Sequence, residues 1–87
     1  MSYYPHSLKV FREIINKNYP EAESKEGLGD VPSHLLWMID KIEKMKDESK
    51  KASRWLGFII GRLEALNLLD NEKSRDIIRE DVSKNLD

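Results

Sequence analysis

The stretch from Ala52 to Leu69, ASRWLGFIIGRLEALNLL, constrains the fold more than any other part of the chain. It is rich in apolar residues, and Ser53, Gly57, Gly61 and Ala65 recur through it at four-residue intervals. On a helix such a row lies along one side, where small side chains let another backbone approach closely. A glycine inside a helix is about 1 kcal/mol less favourable than alanine, so two of them in one helix call for a packing reason. With Ala52, Leu56, Ile59 and Leu63 as the core face, Trp55 flanks it on one side and Ile60 on the other. Phe58 and the Gly57–Gly61 row then fall away from that face. A helix apolar over most of its circumference is expected to be covered over most of it.

The rest of the chain supplies further helices. Residues 1–6 form a lead-in, and Ser7 is the expected N-cap of a short helix over 7–19, with Leu8, Phe11 and Ile15 at helical spacing. Pro20 closes that helix, and the polar, glycine-bearing residues 20–30 are expected to form a flexible loop. Asp30, Pro32 and Ser33 mark a new start. The second helix carries Leu35, Met38, Ile39, Ile42 and Met45 on one face, leaving Leu36 and Trp37 on its flanks as candidates for a second contact surface.

The join between this helix and the next admits two readings. No glycine or proline lies between Ser33 and Leu56, and an apolar heptad seam runs unbroken from Leu35 to Leu66, which fits one long helix. Yet the seam is weakest at Ser49 and Ala52, inside a highly charged stretch where Asp47 or Ser49 can cap a new helix. The favoured reading is a hairpin of helices over about 32–46 and 49–69. A C-terminal helix over 71–83, begun by Asp70 or Asn71 and striped by Ile77, Ile78 and Val82, then acts as a lid. The fold class is therefore all-α: a single domain over 1–87, with its helical core in 33–83, pairing into a dimeric bundle. A chain of 87 residues has a small core, and oligomerisation is a common supplement at this size.

The search for chemistry returns little. The chain has no cysteine, and His6 and His34 have no second ligand at metal-binding spacing, so no metal, cofactor or catalytic residue is assigned. No G-x-S-x-G or phosphate-loop pattern is present. Fifteen basic residues against sixteen acidic ones give a net charge of −1, a poor match to a polyanion. The one small basic cluster, Lys50, Lys51 and Arg54 beside Trp55, supports a nucleic-acid-binding regulator only as an alternative. The apolar run from Trp55 to Ile60 is far too short to span a bilayer, so a soluble protein is expected.

Three segments together carry a resemblance: HLLWM at 34–38, KASRWLG at 51–57 and SRDIIR at 74–79. The pattern resembles a group of small uncharacterised helical proteins encoded by bacteriophages and prophages. Across residues 33–81 the resemblance implies a phage-related origin, a location in the bacterial cytoplasm and a helix break near Ser49. The expectation is a non-enzymatic, self-associating protein that works through protein–protein contacts, as a homodimer and on a bacterial host protein. Its interface residues are Leu36, Trp37, Ser53, Trp55, Gly57, Phe58, Gly61 and Ala65.

Overall fold

The computed structural model describes residues 3–27 and 29–85, with side chains placed through Val82. Met1 and Ser2 of the lead-in and Leu28 of the loop lie outside the described residues. Among those described, the chain folds into four helices and no strand: α1 Pro5–Asn18, α2 Val31–Glu43, α3 Ser49–Ala65 and α4 Asn71–Asn85. One apolar core draws on all of them, from Leu8, Phe11 and Ile15 through Leu35, Ile39 and Ile42 to Ile59, Leu63 and Ile77. The body measures 38 × 28 × 18 Å, so its thinnest dimension holds fewer than two full helix diameters. In such a slab each helix keeps a broad outer surface.

The first helix starts earlier than its sequence suggests. Pro5 opens it, and Ser7 is not the N-cap but a fully buried residue of the first turn. The capping position belongs to Tyr4, which sits in left-handed geometry (φ 53°) and offers no side-chain cap. Its hydroxyl lies 2.7 Å from the Ser53 hydroxyl on α3. The cap of α1 comes instead from the far end of the chain. The Asp81 carboxylate accepts from the His6 N–H at 3.0 Å, the Ser7 N–H at 2.7 Å and the Ser7 hydroxyl at 2.6 Å. An anion on the free amides of a helix N-terminus satisfies donors that have no partner within the helix and complements the helix dipole. Asp81 is only 2% exposed, while Val82, expected on the apolar stripe, is 42% exposed. The buried face of α4 therefore runs Ser74, Ile77, Asp81, and its principal partner is α1 rather than the hairpin.

The hairpin forms, and the single long helix does not. The chain leaves helical geometry after Glu43, and Asp47 takes a left-handed conformation (φ 56°) that aspartate tolerates better than most residues. The Glu48 N–H, at the head of α3, donates to the Tyr3 hydroxyl at 3.1 Å. Asp30 caps α2 by accepting from the Ser33 N–H, and Asp70 caps α4 by accepting from the Lys73 N–H at 2.7 Å. The third helix stops at Ala65, four residues short of the expected 69, because Asn67 is left-handed (φ 61°). The Leu68 N–H reaches the Leu63 carbonyl at 2.9 Å and the Asn67 N–H reaches that of Glu64 at 3.0 Å, the paired bonds of a Schellman cap.

Two further sets of contacts fix α2. Arg12 of α1 binds both Glu43 oxygens, at 2.9 and 2.7 Å, and Asp40 at 2.7 Å. The guanidinium holds its proton above the ordinary arginine range, chiefly through the bonds to Glu43, with burial opposing and Asp40 reinforcing. The loop 20–30, expected to be flexible, is stitched to α2. The Lys25 N–H donates to the Ser33 carbonyl, the Gly27 N–H to His34 Nδ1 at 3.1 Å and the Ser24 hydroxyl to Asp40 at 2.6 Å.

Candidate interaction surface

Two flanks of α3 remain once its core face is taken. On the α2 side, helical spacing sets Lys51, Trp55, Phe58 and Arg62 in one file and places it against His34, Trp37 and Lys41 of α2. The rings touch across the hairpin. His34 stacks on Trp37 at 5.5 Å between centroids, Trp37 meets Trp55 at 5.8 Å, and Phe58 meets His34 edge-on at 6.3 Å. Each large ring then carries a cation: Lys41 at 5.6 Å over Trp37, Lys51 at 5.2 Å over Trp55 and Arg62 at 4.9 Å over Phe58. All four rings are half-buried, packed on the core below and open to solvent above.

On the other flank lies the small-residue row. Gly57, Gly61, Ser53 and Ala65 are all exposed. A methyl group built on Gly57 or Gly61 meets no atom within 4 Å, so among the described residues nothing packs on either glycine. Ser53 is held only by its contact with the Tyr4 hydroxyl.

Of the residues expected at an interface, Trp55, Phe58 and Trp37 thus gather on one flank and Ser53, Gly57, Gly61 and Ala65 on the other. Leu36 belongs to neither. It is 6% exposed and belongs to the core, since α2 packs against both α1 and α3. The basic cluster is also loosely assembled. Lys50 and Arg54 are exposed, whereas Lys51 lies over Trp55 with Glu48 at 3.9 Å. Residue-by-residue reading of the sequence misses His34, Lys41 and Arg62 as members of the aromatic flank. Their signal is the i, i+3, i+7 spacing of His34, Trp37 and Lys41 and the repeat of Phe58 and Arg62 at i, i+4.

Elsewhere the surface offers shallow features. An open depression of about 430 Å³ lies between Tyr19, Pro20, Ala22 and Pro32. Among the described residues no three His, Asp or Glu side chains converge as metal ligands, and no helix is long and apolar enough to cross a membrane. Comparison with protein-family models, with curated proteins and with solved structures found no match.

Proposed function

We propose that the chain is a non-enzymatic, self-associating helical protein that acts through protein contacts, with the Gly57–Gly61 flank of α3 as its homodimer seam. One observation carries the reading. Two glycines in mid-helix face solvent with empty space above them, so no packing among the described residues offsets their helix cost. A second copy supplies it in an antiparallel pairing, the arrangement of many helical bundles. Centred on Ile59, that pairing sets Gly57 against Gly61 of the second copy and Ser53 against Ala65, small residue against small residue. It also brings Arg54 level with Glu64 of the second copy, opposite charges at the rim.

The resemblance to phage and prophage proteins supports a bacterial-cytoplasm location, and a bacterial host protein is the partner proposed there. The alternative, a small nucleic-acid-binding regulator using Lys50, Lys51 and Arg54 near Trp55, has less to support it. Lys51 is engaged by the Trp55 ring and by Glu48, and the recognition-helix candidate α4 mixes Glu72, Asp76 and Glu80 with Lys73, Arg75 and Arg79. Light scattering over a micromolar concentration series tests the dimer: a mass twice that of the chain is expected, and a monomer throughout removes the reading.

A further inference from the structure

The aromatic flank is a different surface from the dimer seam, and its chemistry is specific. Cation–π contacts occur about once per 70–80 residues in folded proteins. Here there are three in an 87-residue chain, all on one flank. Lys41 and Arg62, both exposed, have no carboxylate partner among the described residues, although the chain is net acidic. Five of its acids are committed elsewhere: Asp40 and Glu43 to Arg12, Asp81 to the head of α1, Asp30 and Asp70 to helix caps. The result is a half-buried Trp–Trp–Phe floor with two unpaired cations, Lys41 and Arg62, at its rim, and Lys51 beside them paired with Glu48. Tryptophan, aromatic neighbours and an arginine are the composition of protein interface hot spots, with lysine more usual at the solvated rim.

We propose that this flank docks an acidic, amphipathic protein segment, its apolar residues against the ring edges of Trp37, Trp55 and Phe58 that the cations leave uncovered and its carboxylates on Lys41 and Arg62. Charge complementarity selects an acidic occupant. The ring faces select protein over single-stranded nucleic acid: base stacking needs an open ring face, and here His34 and Lys41 cover Trp37, Lys51 covers Trp55 and Arg62 covers Phe58. Carboxylates engage the same cations without moving them off the rings. The inference rests on the reading of the chain as a protein-contact module, but it uses the flank of α3 that self-association leaves free.

Trp37 and Trp55 are the only tryptophans in the chain, so selectively excited tryptophan fluorescence reports this site. The probe is an acidic amphipathic peptide of about 14 residues, roughly four helical turns. Its control is a twin with lysine at every glutamate. The full-length protein is expected to give a saturable fluorescence change with the acidic peptide and none with the basic one. Raising salt should weaken the binding, as exposed charges require. Lys41→Glu and Arg62→Glu should each raise the dissociation constant about tenfold, a loss typical of a rim charge reversed. Both side chains are exposed, so circular dichroism should be unchanged and a folding defect is separable from a binding defect.

Three results overturn the proposal: no response to the acidic peptide at about 1 mM, the practical floor of specific affinity; a response that survives both reversals together; or tighter binding of an oligothymidylate of about 15 nucleotides, which assigns the flank to nucleic acid. Gly61→Leu separates this test from that of the dimer. It should abolish self-association and leave the peptide titration intact.

Discussion

Asp81 is the residue on which the packing of the two chain ends depends. It closes three hydrogen bonds to the first turn of α1 from a nearly solvent-free position. Removing a charged acceptor leaves buried donors unsatisfied, and loss of a helix cap alone costs about 1 kcal/mol. Asp81→Ala is expected to destabilise the fold by about 3 kcal/mol, which lowers the melting temperature of a domain this size by about 15 °C. Asp81→Asn, retaining one acceptor oxygen, should lose roughly half as much. Thermal unfolding of the three proteins by circular dichroism measures this, and equal stability of Asp81→Ala and wild type contradicts it. Arg12 is a contrasting case. Its bonds to Asp40 and Glu43 are geometrically good, but the groups are about a third or more exposed and solvent screens them. Arg12→Ala should cost only about 1 kcal/mol in the same assay.

At the scale of elements, the glycines of α3 make a claim that runs against ordinary expectation. Replacing both by alanine fills only empty space, so Gly57→Ala and Gly61→Ala should each stabilise the helix by up to about 1 kcal/mol. Denaturant unfolding at dilution that favours monomer checks this; destabilisation of either variant shows a contact inside the chain that the geometry does not contain. The end of the same helix depends on Asn67. Alanine there must adopt a left-handed backbone without the local polar contacts of asparagine, at a cost of about 1 kcal/mol, whereas Asn67→Gly should be neutral or stabilising. A reversed order of the two variants in the melting temperatures contradicts the Schellman cap.

These elements also show what a sequence can disclose. The apolar spacing of Leu8, Phe11 and Ile15, of Leu35, Ile39 and Ile42, and of Leu56, Ile59 and Leu63 is local information, and it predicts three of the four core faces. Asp30 and Asp70 announce their helices because the cap lies within three residues of what it caps. The cap of α1 does not, because Asp81 lies more than seventy residues away and reads on its own as a surface acid. Leu36 is a similar case: whether a flank position is interior depends on which elements dock on the helix, and that is not local information. The aromatic flank was half legible, since its rings and cations repeat at helical spacing on each helix. Their meeting depends on the hairpin closing in one register.

At the scale of the whole molecule, a slab 18 Å thick with one apolar core leaves α3 with two unlike flanks. One is small and nearly featureless, suited to a second copy. The other is aromatic and basic, suited to an acidic partner. The proposed dimer would bring two partner segments together, one on each copy, so that binding to a divalent target would gain from linkage rather than from new contacts. That arrangement depends on the seam. Sedimentation velocity of wild type and Gly61→Leu at micromolar concentration tests it most directly. Wild type is expected to sediment as a dimer and Gly61→Leu as a monomer, with helicity unchanged and thermal stability of the isolated chain no lower. A wild type that sediments as a monomer, or a Gly61→Leu variant that still dimerises, contradicts it.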